Sequence, residues 1–410
     1  MNLTIFDQGV QASKQVIPID ASSIYKSFEQ VKDGRKKKGI RYPLPLLFTL
    51  LLLGKMAGET SIDGIVDWIR ERKQDLKSLL NWPKDFPVGK TYTDALAKCD
   101  HHEVVKAITQ VILKARAVEQ CQDEPSRLLA QKIPGEENLI HTAVDGKMLR
   151  GTHKHAALHQ PPVHLLSFYE AESGLLLDQF LVKKSQNEQS ACTAILSPLL
   201  SKGRIITVDA LFTSRKWCAT VKRYGGYYMI AIKENTPAVL QDLSDFFGYS
   251  GTERKEFQYH KEVNKAHGRL ETREIWTSTQ MNEWFYKDWA GISQVYMIRR
   301  KRKSRKKEEE EIAYGITNLP RKNADAERLL YLNRKHWSIE NRLHYRKDVT
   351  LGEDSSQVRS LGVPAVLAAL NGGLLALMDF MRVTNVAKQM RHFCAKPRDA
   401  LQWLLSKLSR

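Results

Sequence analysis

Two aspartates that follow short apolar segments are the first residues in this sequence that could do chemistry. Asp145 follows LIHTAV, and Asp209 follows RIITV. Such runs predict buried strands of a mixed sheet, with Asp145 and Gly146 ending the first of them. Open α/β sheets bind ligands beyond the carboxyl ends of their strands. Carboxylates held there can bind Mg²⁺, which completes its shell with water and phosphate oxygens, so the pattern indicates metal-dependent chemistry on phosphates.

A third carboxylate, Glu340, lies within residues 324–347, where the apolar spacing predicts one long helix. At about 100° per residue, one side of this helix carries Leu329, Leu332, His336, Ile339, Glu340, Leu343 and Lys347. A carboxylate on an inward helix face is costly unless a cation or a metal lies beside it. The helix alone leaves two interpretations open, a structural ion pair and a metal ligand.

Basic residues near these carboxylates could hold a scissile phosphate and its neighbours through charge-assisted hydrogen bonds. The candidates are Lys147, Arg150, His336 and Lys347. A second basic group alternates along a predicted strand and therefore shares one of its faces. This group is His267, Arg269 and Arg273. Its face could contact phosphates in a DNA groove, or it could simply be solvated.

The overall charge favours a polyanionic partner. The chain of 410 residues has 64 Lys+Arg against 46 Asp+Glu, a formal net charge of +18. Nucleic acid is the leading candidate for such a partner, and a basic solvated surface is the alternative. The five cysteines are Cys99, Cys121, Cys192, Cys218 and Cys394. Because they are scattered and form no C-x-x-C pair, they argue against a disulfide framework or a zinc site and predict a reducing, cytoplasmic compartment.

The predicted elements divide the chain into four regions. Residues 1–125 are expected to form an all-helical N-terminal domain for DNA binding or assembly, and residues 238–318 a β-rich insertion. Residues 138–237 and 319–385 are expected to form a mixed α/β sheet with an antiparallel hairpin at one side. Residues 386–410 are a basic C-terminal tail. The apolar stretches 44–53 and 364–381 are expected to be buried core helices and not membrane spans.

An extreme charge run lies inside the insertion. Residues 299–307 hold eight cations in nine positions, and four glutamates follow at Glu308–Glu311. The flanking segments predict two strands that make a hairpin with a solvated tip. The tip is either a flexible loop or a contact with the DNA backbone.

Several sequence motifs occur together and in a specific order along residues 40–382. They are YPLPLLFTLLLLGKMAG, AVDGKMLRG, KSQNEQSA, TVDA, IKENTP, HGRLETR, HWSIENRLHYRKDVTLGED and LNGGLLALM. Together they resemble bacterial insertion-sequence transposases of the DDE type, in the branch that includes the H-repeat-associated proteins. The resemblance implies an RNase H-like catalytic core with a β-rich insertion, and cleavage of DNA at element ends followed by strand transfer.

The resemblance also implies a set of site residues. Its catalytic and metal-binding triad falls on Asp145, Asp209 and Glu340, with Mg²⁺ as the cofactor and Mn²⁺ as a substitute. The IKENTP string adds Lys233 to the DNA-binding candidates. Asp348, Glu353 and Asp354 also match the branch and are alternative third ligands. The implied partners are double-stranded DNA at element ends and target sites, and further copies of the chain in a homodimer or larger assembly. Association with the nucleoid would follow from DNA binding.

Some positions depart from the wider transposase pattern. Asn333 and His336 replace a Tyr and an Arg ahead of the glutamate, Tyr345 replaces a Trp, and Ser214 stands where a Gln is common. These changes leave the carboxylates intact and affect secondary DNA contacts. Two rival functions stay open, a domesticated DNA-binding protein without catalysis and a nuclease that cleaves without joining.

Overall fold

A nine-stranded mixed sheet lies at the centre of the protein in the computed structural model. The structure describes residues 16–38, 40–122, 139–153, 162–182, 188–212, 214–249, 256–266, 269–304, 307–359 and 362–409. The strands are β1 (Ile140–Met148), β2 (His164–Glu170), β3 (Leu176–Leu181), β4 (Arg204–Val208), β5 (Tyr227–Ile232), β6 (Gln258–Ala266), β7 (Arg269–Ser278), β8 (Gln294–Lys303) and β9 (Glu308–Thr317). Their order across the sheet is β3-β2-β1-β4-β5-β9-β8-β7-β6.

The parallel part of the sheet explains the apolar segments. β4 pairs in parallel with β1 on one side and with β5 on the other. Both faces of these strands are covered, so near-continuous apolar runs are expected there. The remaining strand pairs are antiparallel, including β5 with β9, so the strands of residues 258–317 continue the same sheet. The prediction of a mixed α/β fold with a hairpin, β2–β3, at one edge is confirmed.

The first strand does not end at Asp145 as the sequence predicts. β1 continues to Met148 because β2 still pairs with it there, Met148 opposite His164. The parallel pairing with β4 does stop at Val144 opposite Val208. Asp145 and Asp209 therefore both follow the last pair of the β1–β4 ladder.

The helices lie on both faces of the sheet. They are α1 (Ile24–Ser27), α2 (Leu44–Met56), α3 (Ile62–Glu71), α4 (Lys73–Leu80), α5 (Gly89–Leu96), α6 (His101–Gln122), α7 (Arg150–His153), α8 (Glu188–Ile195), α9 (Pro198–Ser201), α10 (Arg215–Arg223), α11 (Pro237–Tyr249), α12 (Asn282–Phe285), α13 (Ala326–His336), α14 (Val363–Phe380), α15 (Val386–Ala395) and α16 (Pro397–Leu405). One apolar core joins the helices of residues 24–122 to α14, α15 and α16. A second core covers the opposite face with α8, α10 and α11.

The long helix predicted for residues 324–347 is wrong in its second half. α13 ends at His336, and two π-helical segments follow, Ile339–His344 and Arg346–Thr350. These wider turns are rare and often occur at functional sites. Asp379 on α14 fixes the segment, since its carboxylate accepts hydrogen bonds of 2.9 and 2.6 Å from both terminal nitrogens of Arg346.

The charge run is mostly paired strand and not a flexible tip. β8 extends through Lys303 and β9 begins at Glu308, so the cations face the glutamates across the ladder. Lys303 lies 3.6 Å from Glu308, and Lys301 lies 3.6 Å from Glu310. Residues 305 and 306 lie outside the described residues.

Helix α14 is long and apolar enough to cross a membrane, but 94% of it is buried inside the protein. Among the described residues it is the one helix that meets this criterion of length and composition. A core helix of a globular protein meets the same criterion, and the burial agrees with the core-helix prediction.

A buried charge cluster joins helix α2 to the segment after the π-helical turns. It consists of Lys55, Lys347 and Glu353, all of which are buried. Glu353 lies 3.6 Å from the Lys347 ammonium and accepts a 2.9 Å hydrogen bond from Asn371. Two buried cations thus share one carboxylate, which leaves one positive charge poorly compensated.

Replacing Lys55 by methionine is expected to stabilise the protein at neutral pH. Burial, opposed by Glu353, lowers the pKa of Lys55 from 10.5 to about 8. The unfolded chain then binds this proton more tightly, so the ammonium destabilises the fold fully below pH 8, and the penalty fades as the pH rises toward 10.5. We expect a gain of ~3 kcal/mol near pH 7 that falls to less than half near pH 9.5, measured by urea unfolding. A gain that does not vary with pH would contradict this explanation.

Candidate metal and DNA site

Asp145 and Asp209 lie side by side on one face of the sheet. Each follows the last pair of the β1–β4 ladder, Val144 opposite Val208, and adjacent strands are about 4.8 Å apart. Both side chains are partly exposed, Asp145 by 28% and Asp209 by 42%. The predicted pair of carboxylates is therefore brought together at an accessible edge of the parallel ladder.

Glu340 reaches the same place from the first π-helical segment. His344, one turn further on, donates a 3.0 Å hydrogen bond from Nδ1 to Glu340, and this nitrogen is 3.4 Å from Asp145 Oδ2. Ligand atoms of Asp145, Glu340 and His344 all lie within 4.8 Å of one another. The π-helical segment thus adds two ligand atoms beside Asp145, while Asp209 lines the same cleft outside this cluster.

The electrostatics of the cluster favour charged carboxylates. The hydrogen bond from His344 lowers the pKa of Glu340 against the opposing effect of burial. Burial disfavours the charged imidazole, but hydrogen bonds to Asp145 and Glu340 outweigh it and raise the pKa of His344. A cation between the two carboxylates is therefore stabilised at this point, whether it is an imidazolium or a metal ion.

Asp209 has its own set of partners. Its Oδ1 accepts hydrogen bonds from the backbone N–H of Ala210 at 2.7 Å and from the Lys233 ammonium at 3.1 Å. Lys233 is half exposed, so it can also turn toward a ligand in the cleft. Lys233, a predicted DNA-binding residue, thus lies beside Asp209 in the structure.

A chain of hydrogen bonds fixes His336 beneath the two aspartates. Thr207 Oγ1 lies 2.9 Å from His336 Nδ1 and 2.8 Å from His141 Nε2. Burial lowers the pKa of His336, against the attraction of Asp145 and Asp209. Burial likewise lowers the pKa of His141 well below its usual value, with a further contribution from His336. His336 is thus held as a neutral ring with one nitrogen occupied by Thr207.

Most of these groups line one open cleft, whose empty volume of about 1010 Å³ includes the solvent space at its mouth. Asp145, Asp209, Glu340, His336 and Lys233 all line it. Strands β1, β4, β5, β8 and β9 form the floor of the cleft. Helix α13 and the first π-helical segment form one wall. The cleft can accept a ligand that reaches all three carboxylates from solvent.

All three alternative third ligands are engaged elsewhere. Lys147 is almost buried, and its ammonium lies 2.5 Å from Asp348 and 3.6 Å from Asp354. Asp354 is also 3.6 Å from Arg150, a strongly exposed side chain. Glu353 belongs to the buried charge cluster. Among the alternatives, this geometry favours Glu340 as the third carboxylate.

Lys347 does not lie beside Glu340. The expectation that both share one helix face is wrong, because the π-helical turns rotate the chain between them. The Lys347 side chain is 0% exposed and faces Glu353, so it has no surface to offer to DNA. Arg269 and Arg273 lie on the same face of β7 in a neighbouring groove, and His267 lies outside the described residues.

The donor set fits a hard divalent cation. Asp145, Asp209 and Glu340 offer carboxylate oxygens, which are the ligands that Mg²⁺ and Mn²⁺ take. The Nδ1 of His344 could join these ligands only without the proton that it donates to Glu340. Sequence reasoning missed His344 and Thr207. Their spacing in the sequence was the available signal. His344 follows Glu340 by four residues, and Thr207 precedes Asp209 by two.

Comparison with known families agrees with this geometry. Residues 137–376 match the family described as "Transposase DDE domain", and residues 25–112 match the family described as "DDE_Tnp_1-associated". The first match includes Asp145, Asp209 and Glu340, and it spans more than half of the chain.

Similar proteins carry corresponding names. The chain is 24% identical over 353 residues to "Putative transposase YncI" of Escherichia coli O157:H7, covering 85% of each chain. It is 26% identical over 223 residues to "H repeat-associated putative transposase YhhI" of Escherichia coli K12, covering 53% of this chain and 58% of that protein. A piggyBac transposase in a synaptic complex with hairpin DNA is 10% identical, with a TM-score of 0.41, covering 91% of this chain and 76% of that one. A structural likeness of this size supports no conclusion, but the family match does, and the chain belongs to the transposase DDE domain family.

Proposed function

We propose that this protein is a DDE transposase that cleaves DNA at the ends of an insertion sequence and joins those ends to target DNA. The observation that carries the proposal is the convergence of Asp145, Asp209 and Glu340 on one open cleft. In the first step water hydrolyses a phosphodiester at the element end and leaves a 3′-hydroxyl. In the second step this hydroxyl attacks a phosphodiester of the target and releases a new 3′-hydroxyl there.

The three carboxylates would hold Mg²⁺ or Mn²⁺ in the cleft. When bound, such ions supply the Lewis acid that activates the attacking oxygen and stabilises the leaving one. His344 orients Asp145 and Glu340 through its Nδ1, and Thr207 orients His336 toward the cleft. His336 and Lys233 line the cleft, and in this proposal they would contact the DNA phosphates at the scissile position.

The strand order of β1–β5 supports an RNase H-like core. A hairpin, β2–β3, lies antiparallel to β1, and β4 and β5 follow in parallel on its other side. In this proposal residues 238–318 are the β-rich insertion and residues 1–125 the helical DNA-binding or assembly domain. The residues from 386 onward form a basic tail whose helices α15 and α16 pack on α2.

The proposed partner is double-stranded DNA, bound by a homodimer or larger assembly in a bacterial cytoplasm. The net charge of +18 favours such a polyanion, with Lys147, Arg150, Lys233, Arg269, Arg273 and His336 as candidate contacts. Arg150, Lys233 and Arg269 are the exposed members of this set. DNA binding is accordingly expected to weaken steeply with added salt.

An end-cleavage and joining assay tests the proposal. The substrate is DNA from either side of this gene, incubated with Mg²⁺ or Mn²⁺, and the matched variant is Asp209→Asn. We expect metal-dependent nicks at inverted ends and joined products, both lost in the variant and after EDTA treatment, with DNA binding retained. Full cleavage by Asp209→Asn would contradict the assigned site.

The assay also separates the rival functions. Binding to the ends without cleavage would identify a DNA-binding protein that has lost its chemistry. Cleavage without joined products would identify a nuclease. Either result overturns the transposase proposal.

A further inference from the structure

An arginine-lined groove lies next to the cleft on the same face of the sheet. Five arginines and one glutamate line it, and Arg300 and Trp337 line both the groove and the cleft. A ligand strand that leaves the cleft past these two residues would enter the groove directly. The groove extends over β7 and β8, outside the carboxylate cluster.

Two of these arginines face each other across neighbouring strands. Arg273 on β7 pairs directly with Arg300 on β8, and both side chains are largely buried, with 14% and 18% exposure. Like charges opposite each other in a ladder are destabilising. The pair therefore needs an anion between or beside the two guanidinium groups.

The carboxylates of the protein supply only part of the negative charge that this arginine pair needs. Glu271 lies 2.7 Å from Arg273, 3.6 Å from Arg300 and 3.3 Å from Arg302, so one carboxylate serves three guanidinium groups. Glu311 takes the outer end of Arg300 at 3.2 Å, and Glu262 pairs with Arg334. Burial lowers the pKa of Arg273, against Glu271, and Arg334 and Arg300 add to that lowering.

Two donors of this arginine pair are without an acceptor at hydrogen-bond distance among the described residues, and one of them, the Arg300 Nε, lies 3.6 Å from the Glu271 carboxylate. In the described part of the chain, the Nε atoms of Arg273 and Arg300 are buried and have no hydrogen-bond acceptor. A buried donor without an acceptor is costly, and more so when it is charged. Phosphate oxygens would provide both the acceptors and the negative charge, since guanidinium groups bind phosphate in a bidentate manner.

We propose that Arg273 and Arg300 jointly bind one backbone phosphate of the DNA strand that runs from the cleft into the groove. The position along the strand rests on the proposed function, because Arg300 connects the groove to the cleft. A phosphate within a strand is favoured over a free anion because further cations continue along the same two strands. Each pair of residues along a strand spans about 6.8 Å. Arg302 lies two residues beyond Arg300 on β8, and Arg269 lies four residues beyond Arg273 on β7.

DNA binding without cleavage tests this inference. The probe is a fluorescent duplex of the flanking DNA, in Ca²⁺ buffer, with affinity measured by anisotropy from low to high salt. We expect Arg273→Gln and Arg300→Gln each to weaken binding roughly tenfold and to reduce the salt slope by about one. Because both hold one phosphate, the double variant should also lose only about one unit of slope.

Arg299→Gln is the matched control. Arg299 is a neighbour on β8 with the opposite orientation, where its guanidinium pairs with Glu274 at 2.9 Å and lies over Trp276. It should bind the duplex within about twofold of wild type. Removal of one like charge should leave the melting temperature of Arg300→Gln at or above that of wild type. If a glutamine variant fails to fold, Arg273→Lys can replace it. Lysine keeps the positive charge but cannot bind phosphate in a bidentate manner, so this variant should still weaken DNA binding severalfold.

Two outcomes would count against the inference. Unchanged affinity in both single variants would remove the phosphate site. A slope loss of about two units in the double variant would mean two separate phosphates. Cleavage is not part of this readout, so the two proposals can fail separately. A protein that binds DNA through Arg273 and Arg300 but does not cleave it would support the phosphate site and contradict the transposase function. A protein that cleaves and joins DNA but whose arginine variants bind normally would contradict only the phosphate site.

Discussion

Replacing Glu340 by glutamine is expected to reduce DNA cleavage about 10³-fold at saturating DNA, because a ligand of the proposed metal would be lost. Metal ions contribute several kcal/mol to the stabilisation of transition-state charge, and each 1.36 kcal/mol is a factor of ten in rate. Glu340 lies in the cleft within 4.8 Å of the ligand atoms of Asp145. Glutamine keeps the shape and one oxygen, so the loss would report on charge and not on packing.

Asp348→Asn is the matched control for this experiment. Asp348 is a carboxylate of the same segment, but it lies 2.5 Å from Lys147 and outside the set of residues that line the cleft. Its variant should cleave within about threefold of wild type, since it loses only a partly exposed ion pair. The two measurements are the rate of single-turnover cleavage and the affinity for Mn²⁺ by titration calorimetry. Glu340→Gln should lower both the rate and the affinity. The reverse ranking would identify Asp348 as the third ligand.

The sequence was sufficient to place the two aspartates. Apolar runs of five or six residues before Asp145 and Asp209 reflect strands covered on both faces, and this constraint is strong and local. The ladder between these strands then sets the two carboxylates next to each other. The charge run carried a readable signal too, since RRKRK and EEEE are complementary once β8 and β9 pair in register.

The third side of the site could not be predicted in the same way. Helical periodicity assumes 3.6 residues per turn, and the letters of residues 339–350 contain no cue for the wider turns that occur there. The wider turns are fixed by tertiary contacts, above all Arg346 with Asp379 on a distant helix. As a result Glu340 reaches the cleft with the buried His344 behind it, whereas Lys347 turns into the core.

The continuity of the sheet was likewise a long-range feature. β5 and β9 are neighbours in the sheet although more than seventy residues separate them, and no local pattern indicates which strands pair. The expectation of an inserted β-rich segment over residues 238–318 did not include that its strands extend the central sheet. That extension is what places the arginine groove beside the carboxylates.

Replacing Glu353 by glutamine is expected to destabilise the protein by ~3–5 kcal/mol, because it leaves Lys347 and Lys55 buried without their carboxylate. The Glu353 side chain is 5% exposed, accepts a hydrogen bond from Asn371 and lies 3.6 Å from Lys347. Burial lowers the pKa of Lys347, opposed mainly by Glu353, so the variant should also make the Lys347 proton easier to lose. Urea unfolding near neutral pH measures the loss, with Asp354→Asn as the control from the adjacent, more exposed position.

A second substitution distinguishes charge from lost packing. In the background of Glu353→Gln, changing Lys347 to methionine removes the uncompensated ammonium and should recover most of the lost stability. A double variant as unstable as the single one would show that the loss came from packing or from the Asn371 hydrogen bond. A stable Glu353→Gln protein that fails to cleave DNA would instead return Glu353 to the metal site, because only a role in the chemistry would then explain its effect.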